Sequence, residues 1–294
     1  MEAEGGGFMV GAGVRDGSIG TVTTLQRARG HFRLAVRPRD GRVGVADLEQ
    51  GGCCRLLFPK RAQAALEAVT VNISGGIAAG DRIAGALDCA PETDLLVTSQ
   101  AAERIYRARA GDGPAEIDVS CRIGAGARLE WLPHGTIFFD GCRLRRHMRV
   151  EMAASSSFLF LECRMFGRIG SGETLHRLDV RDRLSVRREG RAVLEDMFRL
   201  ESTDVSALLA NRAVAAGQAG VATLVLVSAD AEGRLDRVRD RLGEIGDGGF
   251  ACSAWNGMLV VRGVSSGGRG LEDTVQRLLP ALRDARPVPA TWRS

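Results

Sequence analysis

The chain has 294 residues, 45% hydrophobic and 26% charged, with a formal net charge of +4. That is the profile of a soluble globular protein able to build its own core without staples. Basic residues interleave with acidic ones, as in Arg237-Val238-Arg239-Asp240-Arg241, and form no stripe with aromatics, which excludes nucleic acid as a partner. The best apolar run, Val221–Val227, is far shorter than the ~20 residues that a bilayer requires, which excludes a membrane-spanning role.

Residues 1–20 are glycine-rich and aperiodic and read as a flexible tail. They lack the basic start and apolar run of a usual signal peptide. The seven cysteines are odd in number and contain no Cys-x-x-Cys pair, so a reducing cytoplasm is the expected compartment. Residues 21–205 are expected to form a β-rich, repeat-like scaffold. Residues 206–294 are expected to form a β-α-β-α portion packed on the same body. The 38 glycines exceed the usual share of about 7% and favour short strands with tight turns.

In chain order, His31–Val36 alternates, Asp40-Gly41 supplies a turn, and Arg42–Ala46 returns, a hairpin signature. Further strands are expected over 51–60 and 67–73. A repeat follows: 86–99, 118–133 and 149–162 each hold an alternating strand, a small-residue turn and a second strand. These second strands centre on Leu96, Leu129 and Leu159; a period of about 30–33 residues signals stacked units. After each second strand comes a polar corner: TSQAAERIY, WLPHGTIFFDG or LECRMFGRIGSGE. Stacking would bring these corners together along one side. Tyr106, the only tyrosine, is expected to be partly buried in its corner with its hydroxyl bonded. Another hairpin turns at Glu189-Gly190. The last third reads as a strand (Val221–Val227), a helix over Glu232–Ile245 with Leu235, Val238, Leu242 and Ile245 on one face, a strand (Met258–Val264), and a helix from near Leu271 that stops or kinks at Pro280.

The motifs that would announce an enzyme fail on chemistry. Gly75–Arg82 has the glycine spacing of a phosphate loop, but Asp81 and Arg82 stand where Lys and Ser/Thr are needed. The turn serves either as a plain glycine corner or to aim Asp81 inward. The GxSxG at Gly263–Gly267 is followed by no histidine. His31, His134, His147 and His176 lack metal-ligand spacing, and vicinal Cys53-Cys54 reads as two small buried residues. The run Arg143-Leu144-Arg145-Arg146-His147 reads as a solvated strand face. The acids Asp81, Glu162, Glu195 and Asp196 lie among glycines or apolar strand residues. Burying them is costly, so they either pair with Arg104, Arg164 or Arg168 or line a wet interior path.

The segments NISGGIAAGDR (72–82), VTSQAAERIYR (97–107), GAGARLEWLPHGTIFFDG (124–141), FGRIGSGE (166–173) and RDRLSVRREGRAVLEDMFRL (181–200) occur in the order found in the urease accessory protein UreD family (also called UreH), which the chain resembles over about Gly30 to Leu200. The resemblance implies a mainly β fold, a superhelical stack of antiparallel sheets with few helices, mostly in the C-terminal third. It implies a non-enzymatic role in urease maturation, bridging the urease apoprotein to the accessory proteins UreF and UreG. No cofactor would be tightly bound; nickel would cross an internal tunnel in transit, past acids that fall on Asp81, Glu162 and Asp196. Asp81 and Asp196 are then expected to face an internal cavity. The competing reading is a metal-dependent hydrolase using Asp81, Glu162 and His134, which needs those three to converge on one cleft.

Overall fold

The computed structural model describes residues 26–60, 65–245 and 249–292; the tail expected over residues 1–20 lies outside them. In chain order the strands are β1 (Arg29–Arg39), β2 (Arg42–Gly52), β3 (Cys54–Leu57), β4 (Leu66–Asn72), β5 (Arg82–Cys89), β6 (Asp94–Ser99), β7 (Glu103–Ile105), β8 (Ala115–Ile123) and β9 (Arg128–Trp131). They continue as β10 (Thr136–Phe138), β11 (Arg143–Met152), β12 (Ser157–Phe166), β13 (Leu178–Arg188), β14 (Arg191–Ser202), β15 (Gly220–Val227), β16 (Phe250–Trp255) and β17 (Met258–Ser265). The helices are α1 (Val205–Ala210), α2 (Leu235–Ile245) and α3 (Gly268–Leu282). The fold is mainly β, as expected. Two sheets face each other, ordered β14-β13-β11-β8-β5-β1-β2 and β16-β17-β15-β12-β9-β6-β4-β3, with β7 and β10 attached beside β12.

The repeat is present, but its strands do not pair as hairpins. Each unit sends its first strand into one sheet, crosses the core through a four-residue arch (90–93, 124–127 or 153–156), and enters the other sheet as β6, β9 or β12. Strands therefore pair with their counterparts in neighbouring units, and those pairs are parallel: β5 with β8, β8 with β11, β6 with β9, β9 with β12. The expectation of antiparallel sheets is thus corrected to two mixed sheets. Among the described strands, antiparallel ladders are β1-β2, β3-β4, β13-β14 and the β12-β15-β17-β16 run. The arches ladder on one another, Gly124 N donating to Cys89 O at 2.8 Å and Ala153 N to Ile123 O at 2.9 Å. Leu129 stacks between Leu95 and Phe158, one residue away from the expected Leu96 and Leu159. The hairpin turns Asp40-Gly41 and Glu189-Gly190 adopt φ of 50° and 73°, and 51° and 72°, as a two-residue turn of this hand requires.

The outer face of the second sheet carries α2 and α3. Leu161, Cys163, Leu224 and Leu226 pack under Val238 of α2 and Leu271, Val275 and Leu278 of α3. Helix α3 starts at Gly268 and runs past Pro280 to Leu282, so the proline falls within its last turn. Beyond it, Arg283 donates to Glu130 Oε2 at 3.0 and 2.6 Å and Arg286 grips the other oxygen, strapping the C-terminal segment across β9. The strand β16 carries little sequence signal, because FACSAW is short and has one buried side chain, Phe250. Among the described residues no helix is long and apolar enough to cross a membrane.

Leu129 is fully buried at the centre of the rungs. Leu129→Ala should lower stability by roughly 2–5 kcal/mol in urea unfolding; a loss below about 1 kcal/mol would show that the rungs do not share one core.

Candidate functional site

Alternation along three strands builds the site. On β12 the inward series reads Phe158, Phe160, Glu162, Arg164, Phe166; on β11 it reads Leu144, Arg146, Met148; on β13, Val180, Asp182, Leu184. Phe158, Phe160, Met148 and Leu184 belong to one apolar core between the sheets, and Phe166, Leu144 and Val180 to another. A polar belt therefore lies between two greasy layers and crosses the sandwich perpendicular to the strands.

The belt is knitted by charge. Arg146 grips Asp182 with both arms of its guanidinium, at 2.9 and 2.6 Å, and reaches Glu162 Oε1 at 2.7 Å. Arg164 donates twice to Asp182 Oδ2, at 3.0 and 2.5 Å. Thr136 Oγ1 donates to Glu162 Oε1 at 2.7 Å, and Arg164 stacks over the Phe198 ring at 4.7 Å. Burial disfavours the Arg146 cation, but Asp182 and Glu162 outweigh that and hold its proton more tightly than usual. Burial also works against the Asp182 anion, yet Arg146 and Arg164 hold its carboxyl well below the ordinary range. Toward one end, Glu103 accepts from Asn72 Nδ2 at 3.2 and 3.3 Å, and burial pushes its carboxyl up despite those bonds.

The predicted corners meet here. Glu103, Thr136 and Arg164 sit side by side in the short parallel ladder β7-β10-β12. Tyr106 is half-buried, its hydroxyl donating to Gly75 O at 2.7 Å and its ring edge-on to Phe139. Gly76, at φ 144°, lies under that ring; a Cβ there would come within 2.4 Å of it. Two cavities flank the belt. One, of about 340 Å³, is lined by Asn72, Glu103, Thr136, Arg146, Glu162 and Asp182. The other, of about 320 Å³, is lined by Arg164, Asp196, Phe198, Thr223, Arg262 and Val264. Asp182 is in the wall of the first and Arg164 in the wall of the second, and the two touch.

The residues singled out in the sequence fall in different places. Glu162 lines the first cavity, paired with Arg146 rather than with the arginines expected. Asp196 lines the second, ion-paired to Arg262. Asp81 lines neither: its oxygens accept the amides of Ala28 and Ala78 at 2.8 and 2.7 Å, locking the glycine turn against β1. Glu195 points outward to Ser185 and Arg183. Of the expected partners, Arg164 takes Asp182, Arg168 takes Glu173 and Arg104 is exposed. The run 143–147 is only partly a solvated face, because Arg146 turns inward. His134 lines the first cavity, stacks on Trp292 and lies 3.2 Å from Thr291 O. The hydrolase trio of Asp81, Glu162 and His134 is therefore not assembled, and among the described residues no group of three or more His, Cys, Asp or Glu could hold a metal ion. Burial, aided by Cys53, pushes the Cys54 thiol up to about 12 and so disfavours its thiolate.

A family model described as UreD urease accessory protein matches residues 28–293. The chain belongs to the UreD family. Its relatives include "Urease accessory protein UreD" of Rhizobium leguminosarum bv. viciae, 39% identical over 276 residues that cover 94% of this chain and 98% of the relative. The protein of that name from Dinoroseobacter shibae is 38% identical over 270 residues, covering 92% and 93%. "Urease accessory protein UreD 3" of Methylorubrum extorquens is 39% identical over 276 residues, covering 92% and 91%. Membership places the chain in urease maturation as an accessory protein and not an enzyme.

Because Asp182 titrates below its ordinary value, its stabilising contribution is complete above about pH 4 and is lost as acid protonates it in the folded state. Asp182→Asn should cost roughly 3–5 kcal/mol at pH 7, since it leaves buried guanidiniums short of a partner. The gap to wild type should narrow in urea melts at pH 3; a gap that widens in acid would contradict the assignment.

Proposed function

We propose that this chain bridges the urease apoprotein to the accessory proteins UreF and UreG and passes nickel through its interior. The observation that carries this reading is the polar belt running between two apolar cores, with a cavity at either side. Nickel(II) is a borderline dication that accepts carboxylate and water oxygens. Glu103, Glu162 and Asp182 at the first cavity and Asp196 at the second offer such oxygens in sequence. Donors strung along a path hold a cation weakly enough to release it, which a closed cage of histidine and cysteine would not. The flanking apolar layers disfavour any other route for a charge. Nucleotide hydrolysis is left to UreG, in keeping with Asp81 and Arg82 where a phosphate loop needs Lys and Ser/Thr.

On this reading Glu162 and Asp196 are relay carboxylates. Asp81, included in the relay implied by the family resemblance, instead acts through the turn that it locks.

The test is to co-express the urease subunits and accessory proteins with Glu162→Gln, Asp196→Asn or Asp81→Asn chains, then measure complex recovery and nickel per urease. Glu162→Gln and Asp196→Asn should leave the complex intact and lower nickel severalfold. Asp81→Asn, which leaves one of two half-buried amides without its acceptor, should cost stability by about 1–3 kcal/mol and change nickel only in proportion to the folded chain recovered. Normal nickel with intact complexes in both relay variants would refute the internal route.

A further inference from the structure

The two cavities are separated by one layer of side chains, and that layer is ionic. Asp182 faces the first cavity, Arg164 the second, and Arg146 ties Asp182 to Glu162. Glu162, Asp182 and Arg164 have side chains no more than 7% exposed, and Arg146 is 16% exposed on the first-cavity side. The guanidinium of Arg146 thus occupies the centre of a carboxylate set formed by Glu162 and Asp182, with Glu103 on the same cavity wall.

We infer that Arg146 is the resident counterion of the passage and sets how tightly the passage holds a divalent cation. The guanidinium stands where a dication crossing the partition would sit. A cation entering from the first cavity can engage Glu162 and Asp182 only as Arg146 swings off them, and the returning guanidinium competes the cation away toward Asp196 in the second cavity. Arg146 suits this task because its fork satisfies both carboxylates at once. The arrangement also explains why the partition carries two arginines. With Arg164 alone, Glu162 and Asp182 would leave one buried negative charge uncompensated, a ready trap for the cargo. The inference rests on the reading of the interior as a cation path, but its test does not use urease.

The experiment is equilibrium dialysis of Ni²⁺ alone against the purified full-length chain at pH 7.5, for wild type, Arg146→Lys, Arg146→Met and the double variant Arg146→Met/Glu162→Gln. The wild type should retain little nickel. Arg146→Met should hold about one equivalent at least roughly tenfold more tightly, as expected when one cation is removed from a poorly screened carboxylate pair. Arg146→Lys, which keeps the charge but loses the two-armed grip, should fall between them, and the double variant should return toward wild type. Should Arg146→Met fail to fold, Arg146→Lys decides: tighter retention supports the counterion role and unchanged retention overturns it. Retention by Arg146→Met equal to wild type, or retention that survives loss of Glu162, also overturns it. Tight binding by Arg146→Met alongside normal urease nickel in Glu162→Gln would leave the counterion standing and remove the conduit; the opposite pair of results would do the reverse.

Discussion

Charge buried between two sheets is tolerable only if it is neutralised on the spot, and that constraint organises this molecule. Arg146 and Arg164 face Glu162 and Asp182 across the sandwich, each guanidinium bonded to at least one carboxylate. None of the four could be housed alone: an unpaired ion at such depth costs several kcal/mol. The pairing requires β11, β12 and β13 to be held in a single relative position, because a one-residue slip would turn each inward charge to the opposite face. The belt is thus both a consequence of the strand register and a device that enforces it.

The arches make such a register possible. Each crosses from one sheet to the other, so successive units lay equivalent strands beside one another in parallel. Residues distant in sequence, such as Glu103, Thr136 and Arg164, become neighbours. The apolar layers on either side supply the rigidity that a polar layer alone lacks. Where the layers stop, at the Gly76–Tyr106 corner and beside Phe198 and Val264, the cavities begin. The proposed function enters at this level: a scaffold that hands on a cation would need oxygens in its interior and would need them already satisfied when no cation is present.

Much of this was legible in the sequence, and the rest was hidden for identifiable reasons. Asp40-Gly41 and Glu189-Gly190 announce their hairpins because so few residues accept positive φ in pairs. The period linking Leu96, Leu129 and Leu159 announces the rungs. Alternation tells which face a residue takes but not which strand it pairs with, so arches and hairpins look alike, and both the antiparallel expectation and the one-residue offset follow from that. Glu162 stands out because it is the lone acid in FLFLECRMF. Arg146 and Asp182 do not, because RLRRH and VRDRL resemble solvated faces; counting alternate positions from Leu144 and Val180 would have put both inside. Asp81 was legible as an inward acid, but its partners, the amides of Ala28 and Ala78, leave no trace in side-chain chemistry. Arg262, which binds Asp196, lies 66 positions away, beyond what local pattern can reach.

The central claim is that nickel travels through the body of this protein and not over its surface. The most direct measurement plugs the first cavity with a side chain that carries no charge. Ile117→Trp adds bulk to that cavity's wall, beside its register neighbour Arg146, and changes no residue of the belt itself. Nickel bound per urease should fall to the level seen without the accessory chain while the maturation complex still forms. Full nickel loading by an assembled complex carrying the plugged chain would contradict the account.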